Sequence, residues 1–180
     1  AGDVHLVIKT TNSHADPDGA KLLSETLSTI DPSKVTLIEE CLTKHDMLQL
    51  INSCDSVLSV HRSEGFGLHL AEAMAMGKDI IATNWSGNTD FLNHGNSFPV
   101  NYDLIKLGDT FGPYRMGNIW ANPRLDDVVK QMEKVVLINK QKKIISSNFD
   151  EINNQLSINQ ISKKMKYRMR YINLYLAKRF

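Results

Sequence analysis

The sequence predicts an α/β protein with a doubly wound parallel sheet and C-terminal helices. Three observations predict it. Short apolar runs rich in β-branched residues alternate with longer stretches of helical periodicity. A glycine-flanked turn, Glu64-Gly65-Phe66-Gly67-Leu68, stands between a strand-like run and an apolar helical run. The apolar and charged fractions, 42% and 23%, are those of an ordinary globular chain, and no stretch of about 18 apolar residues is present to cross a membrane. At 180 residues, one domain with a real core is expected.

Val4 to Lys9 reads as the first strand. Asp16-Pro17 is a helix start signal, and Asp18 to Ile30 follows as a helix. Val35 to Ile38 is the next strand. Thr43 is suited to cap a short helix running to about Asn52, with Asp46 three positions on. Ser56 to Val60 is a strand that leads into the glycine turn and its helix. Asp79 to Thr83 is a strand, Thr89 to Leu92 a helical turn, and Ser97 to Val100 a short strand. Residues 101–125, rich in Gly, Pro, Asn and aromatics, read as a long loop. Asp126 to Asn139 is a helix with Val129, Met132, Val135 and Val136 inward, and Asp126-Asp127 complements its dipole. Two further helical segments end the chain.

Strand, turn, helix and strand in this order suit a phosphorylated ligand at the carboxyl edge of a parallel sheet. Gly65 and Gly67 lack side chains, so a ligand can approach the backbone. The first helix amides, near Gly67 and Leu68, have no intrahelical acceptor, and the helix dipole adds positive charge there. Glu72 is the odd residue of its helix. Its neighbours Leu68, Leu70, Ala71, Ala73, Met74, Ala75 and Met76 are apolar nearly all round, which reads as a buried helix. A carboxylate there needs partners such as ribose hydroxyls, or an escape to solvent at an edge. A dinucleotide fingerprint is excluded because the third glycine is missing. A P-loop is excluded because Gly77-Lys78 precedes Asp79 rather than Ser or Thr.

These residues carry a specific resemblance. Glu-Gly-Phe-Gly-Leu, a second Glu eight positions after the first, and Ala73-Met74-Ala75-Met76-Gly77-Lys78 before a strand resemble the donor-binding domain of retaining GT-B glycosyltransferases of the family-four type. The stretches Ala82 to Phe91, Pro99-Val100-Asn101-Tyr102 and Trp120-Ala121-Asn122-Pro123 are similar to one branch of that family, whose members often build bacterial surface polysaccharides. The resemblance implies a Rossmann-like sheet, the C-terminal half of a GT-B fold. It implies a single donor domain over 1–180, with the N-terminal acceptor domain absent from this sequence, and an isolated chain that transfers little or nothing.

The resemblance also implies roles. Glu64 faces the donor sugar, and Gly65 and Phe66 line it. Gly67 and Leu68 present amides to the diphosphate, Lys9 supplies a cation, and Glu72 takes the ribose. The base lies by Glu40, Cys41 and Leu42. A second basic residue is common before a glycine, where this chain has Asp18 before Gly19; Lys21 or Arg62 is a substitute. Asp79 stands where the family usually has proline. His61 is better read as a structural histidine at a strand end than as a catalytic one. Asn84, Ser86 and Asn88 contact the ligand or build a turn. The reaction as implied needs no metal and no cofactor beyond the nucleotide-sugar substrate.

The net charge of +1 hides an asymmetry. Beyond Leu156 stand Lys163, Lys164, Lys166, Arg168, Arg170, Lys178 and Arg179 with no acid, which leaves −6 for the rest. Ile158, Ile161, Met165, Met169, Ile172 and Leu176 fall on one helical stripe. Such a helix packs on its own domain or lies on anionic lipid. Cys41 and Cys54 lack metal-site spacing and read as reduced thiols, with a disulfide left open. No signal-peptide pattern stands at the start. The expected location is cytoplasmic, with peripheral membrane contact through the basic helix. The expected partners are a nucleotide-sugar and a glycan or lipid-linked acceptor, with no nucleic acid. The alternatives are a non-catalytic nucleotide-sugar-binding or scaffold domain acting with a partner chain, and another GT-B chemistry such as epimerisation or phosphorolysis.

Overall fold

A computed structural model describes residues 4–11, 13–112, 114–140 and 148–177. The chain divides into two compact units, Ala1–Leu50 and Ile51–Phe180. In the first unit, β1 (Leu6–Lys9) pairs in parallel with β2 (Val35–Ile38), Leu6 opposite Val35 and Lys9 opposite Ile38. Between them runs α1 (Pro17–Leu27). Asp16 caps it, its carboxylate accepting the Gly19 amide at 3.0 Å, and Pro17 takes the first helical position, where no amide is needed. The helix stops at Leu27, three residues short of the expected Ile30. α2 (Lys44–Ser53) starts as the sequence suggests, with Thr43 Oγ1 accepting the Asp46 amide at 3.2 Å.

The second unit holds a parallel three-stranded sheet in the order β3 (Ser56–Ser59), β4 (Asp79–Thr83), β5 (Phe98–Val100). Every residue of β4 is buried, as expected of a central parallel strand covered on both faces. α3 (Leu68–Ala75) packs on β3 and β4, and α4 (Leu125–Lys140) on β4 and β5. Successive residues of β4 serve opposite faces. Ile81 joins Phe98, Val100, Val128 and Val135 in one apolar cluster, with Met132 and Ile138 against it. On α3, Leu70 and Met74 are fully buried, each contributing about 1.5–3 kcal/mol by removal from water.

Four expectations are corrected here. Residues 101–125 are not a long loop: β6 (Tyr102–Lys106) and β7 (Ile119–Pro123) form an antiparallel hairpin, with Arg124 braced bidentately against Asp103. The pattern misled because Asp103 and Leu104, neighbours on opposite faces of β6, are both exposed, which breaks the period-2 alternation. Val129 does not face inward but is 55% exposed; the buried stripe of α4 is Asp127, Val128, Gln131 and Val135. Asp127 is more than a dipole partner. It is buried and accepts the Asn101 amide at 2.7 Å and Gln131 Nε2 at 3.2 Å. Nor is α3 buried all round, since Leu68 is 58% exposed and His69 and Ala75 are also open.

α5 (Asn148–Leu156) packs on α3, and α6 (Ile158–Ala177) on α5. Ile161 is half-buried, but Ile158, Met165, Met169, Ile172 and Leu176 of the predicted stripe are exposed. The expected packing of this helix on its own domain is therefore not made by most of the stripe. Lys178 and Arg179 lie outside the described residues. Cys41 and Cys54 are free thiols. Among the described residues, no helix is long and apolar enough to cross a membrane.

Candidate functional site

The turn from Glu64 to Leu68 leaves the carboxyl end of the sheet and opens α3. Gly67 is the residue before the helix and adopts φ 82°, ψ 46°, a left-handed conformation that glycine accepts without strain. Its amide, expected to be open, donates to Glu64 Oε1 at 3.1 Å. Glu64 therefore caps its own helix from three residues upstream, placing a carboxylate at the positive end of the helix dipole. An anion at this helix end would have to displace Glu64 from the Gly67 amide. A side chain built at Gly65 would meet nothing within 4 Å, so its outer surface is open. Phe66 is 38% exposed, its ring 5.1 Å from that of Phe91.

A second loop holds this turn in place. Ser86 Oγ donates to the Glu64 carbonyl at 2.5 Å and accepts the Glu64 amide at 3.3 Å. The Gly87 amide donates to the same carbonyl at 3.1 Å. Ser86 sits at φ 78°, ψ −154°, a region nearly reserved for glycine. Asn88 is buried; its Nδ2 donates to the Thr83 carbonyl at 2.9 Å. His61 Nε2 lies 3.1 Å from both Asn88 Oδ1 and the Trp85 carbonyl. Two acceptors on one nitrogen put a proton on Nε2, and Nδ1 then accepts from Ser59 Oγ at 3.0 Å. His61 thus ties the end of β3 to the Trp85–Asn88 loop, as a structural histidine does. Ser86 and Asn88 build a turn that clamps Glu64. Gly87, which the sequence reading did not single out, completes the clamp.

Arg62 is exposed, and its guanidinium lies 5.2 Å over the Trp120 ring. The Ala121 amide donates to the Arg62 carbonyl at 2.9 Å, so β7 is stitched to the segment two residues before Glu64. This link was invisible in sequence because 59 positions separate the partners. Glu72 is half-buried in the second turn of α3. Desolvation holds the His69 imidazole below its ordinary range, offset in part by the nearby Glu64 carboxylate. Thr83, at the carboxyl end of β4, is fully buried with its hydroxyl unpartnered among the described residues.

The structure thus brings Glu64, Gly65, Phe66, Gly67, Leu68, Arg62 and Glu72 onto one turn and helix of the second unit. Lys9 and Leu42 belong to the first. Lys9 ends β1 half-buried, its Nζ donating to the Thr10 carbonyl at 2.7 Å, and Leu42 is half-buried in the segment between β2 and α2.

The sequence profile described as "Glycosyl transferases group 1" matches residues 2–109. The chain belongs to the group 1 glycosyl transferases. No curated protein matches this group 1 chain. Among solved structures, it is similar to Anabaena HepE in complex with UDP-glucose, with a TM-score of 0.65 at 18% identity over 93% of this chain and 41% of that one. It is also similar to the pneumococcal O-GlcNAc transferase GtfA in complex with UDP and GlcNAc, with a TM-score of 0.58 at 14% identity over 93% and 29%. A third, the GtfA/B complex, gives 0.61 at 14% identity over 94% and 36%. These likenesses show that the chain has a GT-B glycosyltransferase fold. It spans less than half the length of each of these chains.

Proposed function

We propose that this chain is the donor-binding part of a retaining, family-four-type glycosyltransferase. It transfers a hexose from a nucleotide-diphosphate sugar to a glycan or lipid-linked acceptor in surface polysaccharide synthesis. The observation that carries the reading is the Glu64–Leu68 turn: a carboxylate, an open glycine and a helix N-terminus at the carboxyl edge of a parallel sheet, in a group 1 chain. As the anomeric bond breaks, negative charge grows on the leaving diphosphate, and the amides of Gly67, Leu68 and His69 with Arg62 offset it. Glu64 holds sugar hydroxyls and offsets the positive charge on the ring. Glu72 takes the ribose hydroxyls. Lys9 as phosphate partner and Leu42 beside the base rest on the sequence resemblance. The transfer uses no cofactor in this proposal.

Calorimetry with UDP, GDP and ADP tests the reading, with Glu72→Ala as control. The expected result is binding of one nucleotide that Glu72→Ala weakens. A folded sample that binds none of the three overturns the reading for this chain. The acceptor domain, and lipid contact through the exposed basic face of α6, belong to the same proposal.

A second reading is a nucleotide-sugar-binding domain that acts only with a partner chain. The likeness to the fold seen in the GtfA/B complex is the observation that favours it. Co-purification with a separate acceptor-domain protein supports that reading, and transfer by the single-chain enzyme excludes it.

A further inference from the structure

We propose that Trp120 is a positioning residue for the donor diphosphate: its indole holds the Arg62 guanidinium at the carboxyl edge of the sheet, with the N–H donors free for phosphate oxygens. This deepens the glycosyltransferase reading and rests on it. The segments 60–67 and 84–97 leave the carboxyl ends of β3 and β4. Arg62 is the one Lys or Arg in the two segments together. A diphosphate held by the Glu64–Leu68 turn therefore finds no other permanent cation on these segments. How Arg62 is held then decides how well its charge is used.

Arg62 is exposed, and its guanidinium lies over the Trp120 ring, 5.2 Å from the centroid. Among the described residues no carboxylate forms a salt bridge with it. An acidic partner would neutralise the charge and occupy donors. A ring face attracts the cation and does neither, so the charge and the N–H fork remain for an incoming anion. An exposed arginine with no such rest samples many rotamers. Holding it in place beforehand spares that entropy when the ligand binds.

The indole is itself held. Phe111 stacks on it at 5.7 Å, and Tyr114 sits edgewise at 5.8 Å. Phe111 and Tyr114 exchange two backbone hydrogen bonds, at 2.8 and 3.0 Å. The loop that bears them is closed by the Leu107 amide on the Asn118 carbonyl at 2.8 Å and the Gly117 amide on the Leu107 carbonyl at 2.9 Å. The Ala121 amide, next to Trp120, donates to the Arg62 carbonyl at 2.9 Å. The backbones under the two side chains are thus joined beside the pair, on the segment that runs into Glu64. Trp120 touches no phosphate in this proposal and acts through Arg62.

Calorimetry on the chain tests this with UDP, GDP and ADP, and with the nucleoside of whichever diphosphate binds. Trp120→Leu is expected to weaken the diphosphate at least about fivefold and its nucleoside by less than about twofold. Trp120→Phe, which keeps a ring under the cation, retains most of the affinity. Arg62→Ala also weakens the diphosphate, and adding Trp120→Leu to it costs less than about twofold more. Leu104→Ala, 52% exposed on the same hairpin, is the control that leaves binding intact. Losses that multiply, an equal loss for the nucleoside, or an affinity that Trp120→Leu leaves unchanged overturns the inference. Should Trp120→Leu not fold, NMR on the wild-type protein decides. The Arg62 Nε–H resonance, identified by its absence in Arg62→Ala, is expected to move on adding the diphosphate, and one that stays in place overturns the inference. Wild-type protein that binds none of the three nucleotides overturns the donor reading itself. Binding that Glu72→Ala weakens, and Arg62→Ala and Trp120→Leu do not, overturns this inference alone.

Discussion

Gly87 lies so close to Gly65 that a methyl group on Gly87 would stand 2.0 Å from the Gly65 carbonyl oxygen and 2.9 Å from Phe66 Cα. The obstacle is backbone, which cannot swing aside as a side chain can. Gly87→Ala therefore pushes the Glu64–Gly67 turn off the Ser86 loop. The expected cost is about 1–3 kcal/mol of stability. A displaced turn also weakens nucleotide binding, by at least about tenfold. Urea unfolding and calorimetry measure the two effects. Wild-type behaviour in both would show that the turn does not depend on this approach.

Ser86 holds Glu64 at the expense of backbone strain. Ser86→Ala removes both hydrogen bonds to Glu64 and keeps φ at 78°, for an expected loss of about 1–2 kcal/mol. Ser86→Gly removes the same bonds but relieves strain of about 1–3 kcal/mol, against about 0.5–1 kcal/mol of extra chain entropy. The glycine variant should be the more stable of the two. Paired denaturation curves decide it, and the reverse order would mean that the strain is not real.

Asp79 makes stability depend on pH in the sense opposite to a salt-bridged carboxylate. It is 8% exposed, and burial pushes its carboxyl above the ordinary value of 3.8, with the Asp55 charge adding to the rise. The folded state binds this proton more tightly than the unfolded chain does. Above the raised value the buried charge costs stability in full, and the cost falls away as pH drops through that value towards 3.8. Asp79→Asn should raise the urea midpoint near pH 7, with the gain vanishing by about pH 3. A gain equal at both pH values would point to packing instead of charge.

Asp127 ties α4 to the start of the hairpin through Asn101. Asp127→Ala leaves the Asn101 amide without its acceptor at 2.7 Å, at an expected cost of about 1–3 kcal/mol. Asp127→Asn keeps an acceptor oxygen and should cost less. Thermal unfolding orders the variants, and hydrogen exchange at the Asn101 amide reports the bond itself. Unchanged protection in Asp127→Ala would show that another group satisfies the amide.

Much of the framework was legible in the residues. The continuous run Asp79-Ile80-Ile81-Ala82-Thr83 announced a strand buried on both faces, and Asp16-Pro17 and Thr43 marked helix starts. Gly65 and Gly67 marked the turn that opens α3, though not its left-handed conformation at Gly67. The hairpin was hidden because β6 alternates half-heartedly, with Asp103 and Leu104 both exposed. Val129 was misplaced because α4 buries Asp127 and Gln131, two polar residues that a hydrophobic stripe passes over. Of the site, the turn itself could be read, but not what positions it. Ser86 and Asn88 were open between ligand and turn, and nothing local showed that Gly87 closes on Gly65 or that Trp120 lies under Arg62.

By itself the sequence determined the α/β alternation, the glycine entry to α3 and the presence of Glu64 and Glu72 on one turn and helix. These follow from side-chain periodicity and backbone freedom, which act over a few residues. Only the tertiary structure decided that Glu64 caps its own helix, that Ser86 and Gly87 clamp it, and that Trp120 lies beneath Arg62. Those contacts depend on how closely segments 22 to 58 positions apart can pack, and close packing is settled by the shapes of both partners at once.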